Sequence, residues 1–214
     1  MLDDMPGALW SRGLIEAARV IRVPPLARIV VAIDPAVSSG EDSDETGIVV
    51  AGKGAGQGPD AHAYVLADAS GRYAPTEWAK AALVAYRTHN ADRVVAEVNN
   101  GGDMVEATLR VIDPAVPFTA VRASRGKTAR AEPVAALYEQ GRVHHLGAFP
   151  LLEDQMCGFA PGAHGDFDRT AAGYSPDRVD ALVWAVTELL LQPMPGDGIY
   201  EVYRRAATTE TESR

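Results

Sequence analysis

The stretch Arg28-Ile-Val-Val-Ala-Ile-Asp34-Pro35 decides the fold. Its apolar run is continuous rather than alternating, which predicts a strand over residues 28–34 buried on both faces. The strand closes on an acid, Asp34. A second run, Arg93-Val-Val-Ala-Glu97-Val98, has the same build and closes on Glu97. A third acidic place is the helix start Ser175-Pro-Asp177-Arg-Val-Asp180-Ala-Leu-Val-Trp184, with Asp177 and Asp180 three residues apart. Carboxylates at the ends of core elements are costly to bury unless their charge is compensated. Two at strand ends and a pair at a helix start suggest a shared cation.

Working outward, residues 46–51 and 61–67 read as two more strands, joined through Gly52-Lys-Gly-Ala-Gly-Gln-Gly-Pro59 as a hairpin with a loose turn. Pro75 suits the first turn of a helix running to about residue 89. Trp78, Ala81, Ala82 and Ala85 give that helix one buried stripe. After the strand at 93–98, Asn99-Asn-Gly-Gly102 is a turn, and a helix from about residue 103 turns Val105, Thr108, Leu109 and Ile112 inward. A short strand is expected at 117–121, and then a helix through Gln140 that Gly141 stops. Pro133 is awkward inside that helix. Residues 149–157 read as a short helix, 158–174 as a loop, and 176–191 as the last helix. The order begins with three strands joined by turns and then alternates strand with helix. That combination predicts an antiparallel meander extended by parallel crossovers, an α/β mixed sheet with helices on both faces.

Residues 1–24 read as a lead-in or linker with one short amphipathic helix, which Pro24-Pro25 ends. Residues 25–193 form the domain, and 194–214 are a polar tail expected to be disordered. The 214 residues, 47% hydrophobic and 23% charged, suit one globular domain with extensions. The single Cys157 excludes an intrachain disulfide and a cysteine-rich zinc site. The acidic N-terminus lacks a signal-peptide pattern, and the longest apolar run is too short to span a bilayer, so a cytoplasmic, non-membrane location is expected.

The net charge of −9 argues against whole-surface attraction to nucleic acid. Its distribution is uneven. Residues 34–45 hold five acids, whereas 121–145 hold Arg122, Arg125, Lys127, Arg130 and Arg142 against Glu132 and Glu139. An acidic centre beside a basic stripe suits metal-dependent phosphate chemistry. Two divalent ions ~3.5–4 Å apart can neutralise a phosphodiester transition state and activate water. Magnesium takes hard oxygen ligands, and Asp34, Glu97, Asp177 and Asp180 supply them. Val179, Leu182, Val183 and Val186 form the opposite, core-facing stripe of the last helix. His144 and His145 read as strand or edge residues rather than ligands, since hard metal sites favour oxygen. Trp10, Trp78 and Trp184 read as core or interface aromatics. His164, Asp166 and Asp168 fall on a loop shortly before the last helix; the loop either approaches the site or, as the preferred reading, stays at the surface.

An ordered set of motifs resembles one family. The stretches are Pro6-Gly-Ala-Leu-Trp10 with Leu14-Ile-Glu-Ala-Ala18, Val31-Ala-Ile-Asp34-Pro35, Glu45-Thr-Gly-Ile48, Glu97-Val-Asn-Asn-Gly101, Gly126-Lys127-Thr-Ala-Arg130 with Ala131-Glu-Pro-Val134, and Ser175-Pro-Asp177-Arg-Val-Asp180-Ala181. Together they resemble the C-terminal nuclease domain of the large terminase subunit of tailed bacteriophages and prophages. The resemblance implies a ribonuclease H-like fold and an endonuclease that cuts double-stranded DNA during genome packaging with two Mg2+ or Mn2+ ions. By resemblance Asp34, Glu97 and Asp177 are the catalytic acids and metal ligands. Asp180 is then an auxiliary acid, and Arg125, Lys127 and Arg130 contact DNA. The implied partners are DNA, a terminase ATPase domain, a small terminase subunit and a portal protein, in a host-cell cytoplasm. No Gly-x-x-x-x-Gly-Lys-Ser/Thr run occurs in this chain, so an isolated nuclease domain or half of a split gene is expected, without ATP hydrolysis. The same fold also serves junction resolvases and hybrid nucleases, and a non-catalytic module that grips DNA at a portal is a further alternative.

Overall fold

The computed structural model describes residues 5–35, 45–98, 102–163 and 165–192. Among them the strands are β1 (Arg19–Val20), β2 (Leu26–Asp34), β3 (Gly47–Gly54), β4 (Ala63–Asp68), β5 (Arg93–Glu97), β6 (Phe118–Val121) and β7 (Val143–Leu146). They form one sheet in the order β1-β7-β4-β3-β2-β5-β6. β2, β3 and β4 are antiparallel neighbours. β5 and β6 extend the sheet in parallel beyond β2, and β7 and β1 do so beyond β4. The meander and the crossovers expected from the sequence are both present.

Helices α1 (Arg12–Ala17), α2 (Pro75–Thr88), α3 (Gly102–Ile112), α4 (Lys127–Glu139), α5 (Pro150–Cys157), α6 (Arg169–Ala172) and α7 (Asp177–Val186) cover both faces. Strand periodicity divides the core in two. Val31 and Ile33 of β2 join Ile48, Val50, Val94 and the buried stripes of α2 and α3. Val30 and Ala32 of the same strand join Val49, Ala51, Val95 and helices α1, α4, α5 and α7. A strand that feeds two cores must be apolar throughout, which accounts for the unbroken run at 28–34.

The structure departs from expectation in four places. β3 runs on through Lys53 and Gly54, so the glycine-rich hairpin loop begins only after Gly54. β7, carrying His144 and His145, lies inside the sheet between β1 and β4. Segment 5–20 belongs to the packed body. Trp10 is buried edge-on against Tyr138 and Phe159, and β1 pairs with β7. Pro133 is accommodated within α4 because it and Ala129, whose carbonyl loses its helical donor, both lie on the exposed face. The proposed Asn99–Gly101 turn, most of the acidic loop at 36–44, His164 and the tail from residue 193 lie outside the described residues.

Candidate active site

Two strands and one helix bring the acids together. Asp34 ends β2, and Glu97 ends β5, its parallel neighbour, so both carboxylates leave the sheet at the same edge. Helix α7 crosses β2 and β3 and sets its first turn, with Asp177 and Asp180, over that edge. The helix has no solvent face, because every residue from Asp177 to Val186 is buried. The stripe Val179, Leu182, Val183 and Val186 is inward as expected. The opposite face is not open to water either, but packs against α4 and α5. Asp177 and Asp180 are therefore buried carboxylates, 6% and 2% exposed, and require partners.

Helix α4 supplies those partners. Lys127 Nζ donates to Asp180 Oδ2. Arg130 Nη2 donates to Asp180 Oδ1 at 3.3 Å, and Arg130 Nη1 donates to Glu97 Oε2 at 3.0 Å. Lys127 and Arg130 lie three residues apart on one helical face, so a single helix can reach two acids from different elements. Ser175 Oγ donates to Asp177 Oδ1. Burial pushes the Asp34 carboxyl well above the ordinary aspartate range. The charge of Asp180 adds to that, Lys127 opposes it, and Glu97 and Asp177 add lesser contributions. Asp180 is raised mainly by burial, against the pull of Lys127 and Arg130. Burial alone would lower the Lys127 ammonium, but Asp180 and Asp34 outweigh it and hold its pKa above the ordinary lysine value.

The two helical acids act unequally on Asp34. Asp180, cast as auxiliary, acts on Asp34 most strongly, and Asp177 acts on it least of the three neighbouring acids. Asp180 stands one turn further along α7, facing the site between Lys127 and Arg130. The basic residues also divide differently. Arg125 and Arg122 are exposed, but Lys127 and Arg130 are turned onto the acids. Buried carboxylates claim the nearest cations, and that need outweighs the solvation of two side chains read as surface groups.

Sequence reasoning missed three contributors. Trp184 is one: its indole Nε1 donates to Glu97 Oε2 at 2.8 Å, and the Arg130 guanidinium lies 4.8 Å over its ring. The signal was its place four residues after Asp180, on the same helical face. Asp166, left on a surface loop, is the second. Its Oδ1 accepts the Thr128 N–H at 2.8 Å and so caps the first turn of α4, where Gly126 brings no side chain. Those N–H bonds outweigh burial and hold its carboxyl below the ordinary aspartate range. Nothing local predicts this, since 38 residues separate the partners. The third is Arg178, 4% exposed, which grips Glu45 at 2.8 and 3.0 Å and Asp68 at 2.6 Å. It fastens the start of α7 to the ends of β3 and β4, and it accounts for one acid of the loop at 34–45.

The site's candidate metal ligands are all carboxylate oxygens, from Asp34, Glu97, Asp177 and Asp180, and the cations hydrogen-bonded to them are Lys127 and Arg130. Such a set fits a hard divalent ion. Among the described residues no three His, Cys, Asp or Glu side chains form a ready cage, and Lys127 and Arg130 occupy Asp180 and Glu97.

The model of the Terminase RNaseH-like domain family matches residues 31–189. This chain belongs to that family. Solved structures agree in fold. The large terminase nuclease of thermophilic phage G20c is 14% identical with a TM-score of 0.59, covering 85% of this chain and 98% of that one. The K428A nuclease domain of gp2 from bacterial virus Sf6, solved with manganese, is 15% identical with a TM-score of 0.57, covering 82% and 97%. The human cytomegalovirus terminase nuclease domain is 12% identical with a TM-score of 0.56, covering 82% and 93%. No curated protein matches. The mixed sheet with helices on both faces is thus the ribonuclease H-like fold of terminase domains. Among the described residues, no helix is long and apolar enough to cross a membrane.

Proposed function

We propose that this terminase-family domain is a metal-dependent endonuclease that hydrolyses the backbone of double-stranded DNA during viral genome packaging. The observation that carries the reading is the convergence of Asp34, Glu97, Asp177 and Asp180 from three elements on one edge of the sheet, with their charge only partly offset by Lys127 and Arg130. Family membership and the manganese-bound Sf6 relative support it. Asp34, Glu97, Asp177 and Asp180 would hold two Mg2+ or Mn2+ ions. Bound there, the ions would supply charge neutralisation at the phosphate and acidify the attacking water. Lys127 and Arg130, released from Asp180 and Glu97 by that added charge, would turn to phosphate oxygens. The exposed Arg122 and Arg125 would hold the duplex beside the site. An ATPase partner, a small terminase subunit and a portal in the host cytoplasm belong to the same reading.

The test is cleavage of supercoiled plasmid by the purified domain with Mn2+, Mg2+ or EDTA. Nicking and linearisation should require the ion. Asp34→Ala and Asp180→Ala should each lower the rate by more than about 100-fold while the folded spectrum persists. DNA binding with no ion-dependent cleavage would instead favour the gripping module. If Asp34→Ala cuts as fast as the parent, the site is wrong.

A further inference from the structure

Glu97 has a partner that the metal reading does not require. Trp184, only 6% exposed, points its indole N–H at Glu97 Oε2 at 2.8 Å. The same oxygen accepts Arg130 Nη1 at 3.0 Å, and Arg130 in turn lies over the Trp184 ring. Trp184, Arg130 and Glu97 thus form a closed triangle, in which the indole supplies both a fixed donor and a flat apolar bed for the guanidinium. The Glu97 side chain turns about three torsions, and the buried indole is held fixed by its packing. The N–H therefore sets the plane of the carboxylate. Trp184 also shares the α7 backbone with Asp180, which Arg130 reaches with its other nitrogen. Any tilt of α7 moves both acids together.

We propose that Trp184 is a positioning residue for divalent-cation binding: it holds Glu97 in the orientation from which that acid ligates, and it keeps Arg130 stacked beside the site. The inference rests on the metal-site reading above. Partners that orient a ligating side chain typically contribute 10- to 100-fold in metal affinity.

The experiment compares Mn2+ binding by calorimetry to the parent, Trp184→Phe, Glu97→Ala and the double variant, without DNA. Phenylalanine keeps a smaller aromatic ring and loses the N–H. Trp184→Phe should weaken Mn2+ binding by roughly 10- to 100-fold, measured at a temperature where the variant remains folded. In the double variant, Trp184→Phe should add little to Glu97→Ala, because the indole acts through that carboxylate. Equal Mn2+ affinity of parent and Trp184→Phe, or additive losses in the double variant, would overturn the inference and leave the metal site standing. No Mn2+ binding by the parent would overturn both. Should Trp184→Phe fail to fold, tryptophan emission decides: Glu97→Ala removes the acceptor of a buried indole and should shift the parent spectrum, and an unchanged spectrum refutes the contact.

Discussion

Gly47→Ala is the sharpest test of how this site is assembled. Gly47 begins β3 directly opposite Asp34, and helix α7 passes over it. A Cβ at Gly47 would sit 1.9 Å from the Asp177 carbonyl oxygen, 2.6 Å from its carbon and 3.0 Å from Ala181 Cβ. The first contact is ~1.5 Å inside ordinary van der Waals separation, and its neighbour is backbone, so no side-chain rotation relieves it. The first turn of α7 must therefore lift by ~1 Å or more. Overpacking of this kind costs about 1–3 kcal/mol. For a domain of this size that lowers Tm by roughly 2–10 °C. The functional loss should be larger than the stability loss, because Asp177 and Asp180 ride on that turn. A ~1 Å misplacement at a reacting centre costs on the order of 100-fold. The assays are a thermal melt and ion-dependent plasmid cleavage, scored at a temperature where Gly47→Ala remains folded. A variant with parental Tm and parental cleavage would refute the claim that close approach of α7 to β3 at Gly47 sets the acids in place.

Asp166→Ala removes the cap of α4 and should cost about 1 kcal/mol in a denaturant melt. Gly126→Ala should act like it, because a Cβ there would meet Asp166 Oδ2 at 2.2 Å; different phenotypes would break the link between loop and helix. Arg178→Met leaves Glu45 and Asp68 facing each other without their cation and should cost roughly 3–5 kcal/mol; a loss under about 1 kcal/mol would show that the staple is dispensable. At Glu153, burial raises the carboxyl, but His145, Arg19 and the Phe149 N–H overcome it and hold it at about 2. A depressed folded-state pKa stabilises above the unfolded value of about 4.5 and is lost as pH falls toward 2. Glu153→Gln should therefore cost roughly 1.5–3 kcal/mol near pH 7 and flatten the acid limb of the stability curve between those values; an unchanged limb would exclude Glu153 as its source.

Much of the fold is legible in residues 28–34 and 93–98. A short unbroken run rich in β-branched residues reads as a strand with cores on both faces, and β2 divides its side chains between the two in strict alternation. The acids that end those runs were visible for the same reason, since a charge beside a core element stands out against its neighbours. The pair on α7 was visible as acids in a first helical turn, but not how each sits against Asp34. That depends on how far α7 advances over the sheet, and Gly47 and Glu45 set the advance from positions 130 residues or more away in the chain.

The sequence by itself determined which elements form and which carboxylates lie at their ends, because strand and helix periods and burial act over a few neighbouring residues. Only the tertiary structure decided who compensates whom. Lys127 and Arg130 look like surface cations in the sequence, and Trp184 looks like core. Long-range packing turned all three onto Asp180 and Glu97. A buried carboxylate draws whatever donor the fold brings within reach, and that reach is a property of the assembled sheet and helices, not of any segment alone.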